Sequence, residues 1–374
     1  MSRDKATGPL RGVRIVEFAG IGPGPYASML LSDMGADVVT IARPGQWKND
    51  PRNFVNRGRR PVELDLKKKE DIAQALDLIA SADALIEGFR PQVMERLGLG
   101  PDEALKRNPK LVYGRMTGWG QEGPLAMAAG HDINYIAITG ALDSFRSHNG
   151  EPVAPLNLVG DYGGGALFLV VGLLAAVIEA RSSGKGQVVD AAMCDGVSSM
   201  LTMFHALKAM GRWTDEAGTN LLDGGAHFYR TYKCSCGNYM SIGAIEPQFY
   251  ADLRKLAGLA DDAFDAQNDR AKWPELQQKL EAVFLTKSRA EWAKLLEGSD
   301  ACAAAIVGLF DAPKHPHLVA RKTFVEHEGG VQPAPAPRFS RTQSQIQHSG
   351  GVDTAKVSDI LAEWAGSPAL RARA

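Results

Sequence analysis

A histidine between glycine and aspartate, Gly130-His131-Asp132, stands directly before the periodic run DINYIAITGAL and can do acid-base chemistry. A histidine at a helix N-terminus faces the positive end of the helix dipole, which disfavours the imidazolium and leaves a neutral base near pH 7. The amides of the same first turn have no partner inside the helix, so they can donate to a developing oxyanion. Proton abstraction is therefore one interpretation of His131, and a capping or surface histidine is the other.

An aspartate at the start of a second predicted helix is the next candidate. Asp161 lies in LNLVGDYGGGALFLVV, where three glycines follow it and an apolar run begins behind them. Glycines allow the backbone to approach a ligand closely, and a carboxylate beside them can act as a base or nucleophile toward a bulky acyl group. The alternative for Asp161 is an ordinary helix N-cap.

Two glutamates stand at the ends of apolar runs. Glu87 lies in LIEGFRP and Glu246 lies in GAIEPQFY. Each of these carboxylates can orient a histidine, and the alternative is an exposed surface position.

The turn after the first predicted strand matches a dinucleotide-binding spacing but not its chemistry. Residues 22–27 fit G-x-G-x-x-A, yet Pro23 and Pro25 lack the amide donors of a phosphate cradle. Arg43 stands at the end of the second strand, where dinucleotide sites place an acid for the ribose. We therefore predict a tight turn here, with no NAD, and a phosphate or carboxylate ligand for Arg43.

A basic cluster, NRGRRPVELDLKKK, follows this region. It contains Arg57, Arg59 and Arg60 but no interleaved aromatic residues, which argues against nucleic acid. Its two interpretations are a site for a phosphorylated small molecule and a solvated surface.

The pattern of apolar runs predicts the scaffold that positions these residues. The strand GVRIVEFA, a helix and the strand ADVVTI follow one another within about thirty residues, which is typical of a βαβ unit in a parallel sheet. The alternation continues to about residue 115, so the first half is predicted to be a doubly wound α/β domain. Residues 166–180 are apolar on every face and shorter than the ~20 residues that span a bilayer, which predicts a fully buried core helix.

Composition narrows the class of protein. The 374 residues are 45% apolar and 23% charged, which is typical of a globular chain of about two domains. A formal net charge of -1 provides no general attraction to nucleic acid or to an anionic membrane. The four cysteines are too few for a disulfide framework, and Cys234 and Cys236 lack zinc-site spacing, so no metal is predicted. The start of the chain shows no apolar signal segment, which makes the cytoplasm the expected location.

Segments spread along nearly the whole chain resemble the α-methylacyl-CoA racemases, within the family III CoA-transferases. They are GIGPGPYASMLLSDMGADVVTIARP, LIEGFRPQVMERLGLGP, RMTGWGQEGP, GHDINYIA, LNLVGDYGGG, SSGKGQVVDAAMCDG and GAIEPQFY. The resemblance implies a large Rossmann-like α/β domain and a smaller α/β domain in an interlocked homodimer. With the changes in composition, it predicts a large domain at residues 1–205, a small one at 206–330, and a Pro-rich connector with a returning helix at 331–374.

The resemblance also implies a role for each candidate residue. His131 and Asp161 become opposing bases, Glu246 of the partner chain binds the histidine, Glu87 joins the same network, and the amide of Asp132 faces the thioester oxygen. The implied CoA contacts are Arg43, Leu64, Asp65, Lys67, Gly88, Phe89, Arg90, Arg96, Gly130 and Tyr135. No separate cofactor is implied, because CoA is part of the substrate.

The implied reaction interconverts (2R)- and (2S)-2-methylacyl-CoA by 1,1-proton transfer through an enolate. One alternative keeps the fold and uses Asp161 as the nucleophile of a CoA-transferase. Such transferases generally lack a histidine at the position of His131, and they carry a glycine-rich loop where this chain reads IGAIEPQFY. A non-catalytic acyl-CoA-binding protein is the remaining alternative, and it would need neither base.

Overall fold

A computed structural model describes residues 7–147 and 150–366 of the chain. Its strands are β1 (Arg14–Phe18), β2 (Asp37–Ala42), β3 (Arg59–Glu63), β4 (Ala84–Glu87), β5 (Val112–Thr117), β6 (Gln187–Ala192), β7 (Tyr229–Lys233), β8 (Tyr239–Gly243), β9 (Ala303–Ala305), β10 (Phe324–His327) and β11 (Gly330–Pro333). Its α-helices are α1 (Pro23–Asp33), α2 (Lys69–Ala80), α3 (Val93–Arg96), α4 (Pro101–Arg107), α5 (Asp132–Ile138), α6 (Ala141–Ser144), α7 (Phe168–Ser183), α8 (Met193–Met200), α9 (Thr202–Ala209), α10 (Pro247–Ala257), α11 (Trp273–Phe284), α12 (Arg289–Leu296), α13 (Pro316–Ala320) and α14 (Val357–Gly366). A π-helix, Leu158–Leu167, precedes α7.

The chain forms two compact units. Among the described residues, the first unit contains residues 7–139, 155–201 and 316–366, and the second contains residues 140–147, 150–154 and 202–315. The sequence-based boundaries at 205 and 330 therefore differ from these divisions, and they did not anticipate that residues 140–154 belong with the second unit. The predicted C-terminal helix is α14, in the first unit, while residues 367–374 of the predicted last segment lie outside the described residues.

A parallel six-stranded sheet forms the centre of the first unit, in the order β3-β2-β1-β4-β5-β6. This order is typical of doubly wound sheets, in which strands are added first on one side of β1 and then on its other side. The predicted mixed α/β class and the alternation of strands and helices to residue 115 are confirmed.

Each face of the sheet is covered by helices, because neighbouring residues of a strand point to opposite sides. Val16 and Leu85 pack with α2, α4 and α14 on one face, while Ile15 and Ile86 pack with α1 and α7 on the other. Full burial of an aliphatic side chain of this size contributes about 1.5 to 3 kcal/mol. The two apolar layers thus hold the sheet rigid behind the turns at its carboxyl edge.

The three arginines of the basic cluster bind carboxylates of the chain itself and not a ligand. The ion pairs are Arg57 with Asp33, Arg59 with Glu17, and Arg60 with both Asp37 and Glu363. Arg57 and Arg59 are only 3% and 2% exposed, so their guanidinium groups cannot reach a phosphate in solvent. Both earlier interpretations, a phosphate site and a solvated surface, are wrong for these two residues.

The apolar stretch at residues 166–180 belongs to a longer helical segment, Leu158–Ser183, because the glycine-rich residues before it are helical too. Within the described residues this segment alone has the length and composition to cross a membrane, a test that core helices also pass. The prediction of burial on every face is wrong: Val171 is 66% exposed and Ile178 is 71% exposed. One side of α7 packs on β5 and β6, and the other side presents apolar surface.

The second unit is built on a small antiparallel sheet, β7-β8-β9. The hairpin between β7 and β8 turns through Cys236-Gly237-Asn238, as predicted, and Gly237 has a φ of 81° that favours glycine. Helices α10, α11 and α12 bury Trp273 and Trp292 against this sheet.

A buried histidine makes the stability of the second unit depend on pH. His227 is fully buried, contacts the hydroxyl of Tyr250 through Nε2 at 2.7 Å, and burial lowers its pKa to about 4 from the usual 6.5. Because the folded form disfavours protonation of His227, the contribution of the neutral histidine to the free energy of unfolding is fully present above pH 6.5. It is lost as the pH falls toward 4, since the unfolded chain then binds a proton that the folded chain does not. The pKa difference corresponds to a loss of about 3 kcal/mol.

We expect His227→Gln, which keeps a hydrogen-bonding group but does not titrate, to remove most of this pH dependence. Denaturant unfolding monitored by tryptophan fluorescence between pH 7 and 4 measures it. An equal loss of stability in both proteins would assign the effect to other groups.

Candidate active site

The turns at the carboxyl edge of the parallel sheet carry nearly all candidate residues of the first unit. Residues 19–22 follow β1, Arg43 follows β2, residues 64–67 follow β3, residues 88–90 follow β4, and the segment leading to His131 follows β5. In open α/β sheets this edge is where ligands bind, beside the strand at which the order reverses. That strand here is β1, and the Asp161 side chain lies against its turn.

Asp161 lies in the first turn of the π-helix, against the backbone of Gly22. A Cβ atom on Gly22 would be 2.7 Å from Oδ2 of Asp161, so only glycine leaves room for the carboxylate. Nδ2 of Asn157 donates to the same Oδ2 at 3.1 Å. Burial raises the pKa of Asp161, the Asn157 hydrogen bond lowers it, and the nearby charges of Asp132 and His131 have smaller, opposed effects.

His131 is the N-cap residue of α5, with extended backbone angles, and its side chain is exposed. The Asn134 side chain accepts a hydrogen bond from the His131 amide at 3.0 Å, which fixes the start of the helix. Asp132 follows as the first helical residue and is 7% exposed. The structure thus confirms a histidine at a helix N-terminus, and this helix packs against the π-helix that carries Asp161.

Tyr135 forms the wall behind these residues. Its hydroxyl donates to the carbonyl oxygen of Gly130, and its ring meets Trp119 edge-on at 4.7 Å. A Cβ on Gly118 would overlap this ring at 2.0 Å, which explains the glycine before Trp119. Burial raises the pKa of Tyr135, the charge of Asp161 adds to the effect, and the charge of Arg90 opposes it.

Glu87 ends β4 and is almost completely buried. Its carboxylate accepts a hydrogen bond from the amide of Phe89 at 2.8 Å and pairs with Arg115 Nε at 3.2 Å. Burial raises the pKa of Glu87 to about 7, while the Phe89 amide and Arg115 oppose this shift. Arg115 also pairs with Glu95 on α3, so it ties the loop after β4 to the short helix that carries Arg96. No contact between Glu87 and His131 is present, so the predicted role of Glu87 in the histidine network stays a prediction.

The candidate CoA contacts differ in what their side chains can do. Arg43, Lys67, Arg90 and Arg96 are exposed cations near the carboxyl edge of the sheet. Leu64 is buried in the core, so only its backbone can face a ligand. The Asp65 side chain accepts from the amide of Lys67 at 3.1 Å and shapes the turn after β3.

Glu246 belongs to the second unit, where it is the N-cap residue of α10. Its carboxylate is exposed and does not cap the helix. Buried Gln267 donates to the carbonyl oxygens of Ala244 and Ile245 at 3.2 and 3.0 Å, so the turn that presents Glu246 is held from below.

Sequence reasoning missed Asn157 and Arg115. Asn157 stands four residues before Asp161, a spacing at which helical side chains meet, so its contact was predictable once that stretch was treated as helical. Arg115 gives no local signal, because its partners come from other elements. Across residues 7–147 and 150–366, no group of three or more metal-ligating side chains occurs.

The π-helix packs closely on α8 at a pair of glycines. A Cβ on Gly196 would lie 1.9 Å from the carbonyl oxygen of Gly164, so Gly196→Ala forces the two helices apart. We expect a loss of about 1 to 3 kcal/mol in unfolding free energy, measured by denaturant titration. Gly24→Ala is the control, because no atom lies within 4 Å of its added Cβ, and it is expected to be neutral or stabilising by up to about 1 kcal/mol. Equal effects of both substitutions would contradict the contact.

Comparison with known proteins places these features in a family. The model of CoA-transferase family III matches residues 10–350. The α-methylacyl-CoA racemase of Mus musculus is 43% identical over 89% of this chain and 87% of its own length, and that of Homo sapiens is 40% identical over the same shares. A CAIB/BAIF family protein from Brucella suis has a TM-score of 0.80 and 26% identity, with 96% of this chain and all of that chain covered. The chain therefore belongs to the family III CoA-transferases.

Proposed function

We propose that the protein is a racemase that interconverts the 2R and 2S epimers of 2-methylacyl-CoA thioesters. The observation that carries this proposal is the placement of two side chains that can accept a proton, His131 and Asp161, at the starts of two helices that pack together. The racemase relatives at 43% and 40% identity support the same reaction.

The reaction needs two bases because a proton must leave one face of the α-carbon and another must arrive on the opposite face. His131 and Asp161 alternate as base and conjugate acid, so that either epimer can enter. Such general acid-base help typically contributes about 10²- to 10⁴-fold in rate. Burial raises the pKa of Asp161, which makes its carboxylate a stronger base than an exposed one.

The enolate between the two proton transfers carries its charge on the thioester oxygen. The Asp132 amide is the proposed donor to that oxygen, and one such donor is worth about 3 to 4 kcal/mol. Arg43, Lys67, Arg90 and Arg96 are the proposed contacts of the CoA phosphates. Binding of this remote group positions the reacting carbon.

The active form is proposed to be a homodimer, in which Glu246 of the partner chain orients His131. The exposed apolar face of α7 supports an association: Leu167, Val171 and Ile178 lie four to seven residues apart on one side of the helical segment. The Glu246 carboxylate is exposed and not used as a helix cap, so it is available to another group.

We expect Val171→Glu to convert the dimer to a monomer, because a charge at the centre of this face would have to be buried in the interface. Light scattering after size-exclusion chromatography measures the mass, with Val331→Glu, another exposed valine, as the control. A Val171→Glu protein that keeps twice the chain mass would contradict the role of the α7 face.

The test of the proposed reaction follows one pure epimer of a 2-methylacyl-CoA in deuterated buffer by NMR. We expect exchange of the α-hydrogen together with convergence to an equal mixture of epimers. Absence of both, where calorimetry shows CoA binding, would contradict the proposal. Transfer of CoA to added carboxylic acids would then indicate a transferase, with Asp161 as its expected nucleophile.

A further inference from the structure

The carboxylate of Asp132 connects the two helices that carry the proposed bases. Asp132 is the first residue of α5, directly after His131, and its side chain reaches the π-helix. Its Oδ2 accepts a hydrogen bond from the amide of Asp161 at 2.6 Å. One side chain next to the first base therefore holds the backbone of the second.

The Asp161 amide needs such an acceptor from outside its own helix. In a π-helix each amide bonds to the carbonyl five residues earlier, so the amides of the first turn have no partner within the helix. Asp161 lies in that turn of Leu158–Leu167, and Asp132 supplies the missing acceptor across the helix contact. A carboxylate also suits the positive end of a helix.

The contact is close enough to restrict the residue beside it. A Cβ on Gly160 would lie 2.5 Å from Oδ2 of Asp132, so glycine at 160 lets the two helices approach. Asp132 is 7% exposed, and its Oδ1 accepts no hydrogen bond from the described residues. Among residues 7–147 and 150–366, the hydrogen bond from the Asp161 amide is thus the one that holds this buried carboxylate in place.

We infer that the Asp132 side chain is a positioning residue that sets the distance between His131 and Asp161. This inference rests on the proposed two-base reaction. The Asp132 backbone amide is the proposed donor to the thioester oxygen, and the inference gives the side chain a second, separate role. Inversion requires both bases around one carbon, whereas exchange of the α-hydrogen requires only one. A loosened connection therefore impairs inversion more than exchange.

Asp132→Ala removes the side chain and keeps the backbone amide, so it separates the two roles. We expect its kcat for epimerisation to fall at least tenfold, with KM for the thioester within about twofold of the original, and the ratio of exchange to inversion to rise. Asp132→Asn retains an oxygen that can accept from Asp161 and is expected to recover most of the loss. Asp102→Ala, an exposed aspartate in the first turn of α4, is the matched control and should leave both rates unchanged.

Hydrogen exchange of the Asp161 amide, followed by mass spectrometry of peptides within residues 155–170, gives a readout that does not depend on turnover. Asp132→Ala should speed this exchange, and Asp132→Asn should restore its protection. Unchanged exchange at Asp161, or a proportional loss of inversion and α-hydrogen exchange, would overturn the inference. An original protein that neither epimerises nor exchanges substrate would instead contradict the proposed function alone.

Discussion

His131→Ala is expected to lower the rate of epimerisation by about 10²- to 10⁴-fold while CoA binding is retained. The substitution removes the base on one face of the α-carbon and leaves Asp161 on the other. Asp161 can still remove and return a proton on its own face, so one epimer should exchange its α-hydrogen with solvent deuterium without inverting. The other epimer, whose α-hydrogen faces the missing imidazole, should do neither.

NMR of each pure epimer in deuterated buffer distinguishes these outcomes, and calorimetry with CoA measures binding. His317→Ala is the control, since His317 is exposed in the first unit and belongs to no proposed site. Unchanged epimerisation by His131→Ala would remove the histidine from the mechanism. Equal loss of exchange from both epimers would contradict a division of labour between two bases.

Asp161→Ala should produce the mirror-image pattern. Epimerisation falls by a similar factor, and the only α-hydrogen exchange left is that of the epimer unable to exchange in His131→Ala, because the imidazole remains on its face. The complementary selectivity of two single variants is a stronger test than the loss of activity in either one, since misfolding would abolish both kinds of exchange.

Comparing Asp161→Ala with His131→Ala also distinguishes a racemase from a transferase. An Asp161 that forms a mixed anhydride with the acyl group is required for CoA transfer to an acid acceptor, whereas His131 is not. Transfer that survives in His131→Ala and disappears in Asp161→Ala would assign the site to a transferase. Selective exchange of opposite epimers by the two variants would assign it to the racemase.

The scaffold was predictable because its pattern is local. Short apolar runs that end at glycine or charged residues marked β1, β2, β4 and β5, and the spacing of Val357, Ile360 and Trp364 marked the C-terminal helix. The placement of His131 at a helix start was likewise visible from the residues around it. Local periodicity is sufficient for such features, since each depends on neighbours within a few positions.

The wrong predictions concern residues whose hydrogen-bond or ion-pair partners are not their neighbours in the sequence. The arginines at 57 and 59 looked like ligands for phosphate because their carboxylate partners, Asp33 and Glu17, stand more than twenty residues away. The π-helix escaped prediction because its hydrogen bonds span five residues, whereas the patterns used for prediction assume 3.6 residues per turn. The link from Asp132 to Asp161 depends on that π-helix, so it too required the structure.

The assembly of the first unit from three separate stretches of chain has a consequence for synthesis. All six strands of its sheet are translated by residue 192, yet Trp364, which is buried against the sheet, and Gln347, which donates to Ser32 and Ala36, are made last. A ribosome adds about 5 to 20 residues per second. The second unit ends at residue 315, so it is synthesised several seconds before Trp364, and the contacts of Trp364 with the sheet form only after that. A nascent chain therefore holds the six-stranded sheet without the last helix that covers one of its faces while the second unit folds. We expect chaperones to bind this uncovered apolar face during that interval.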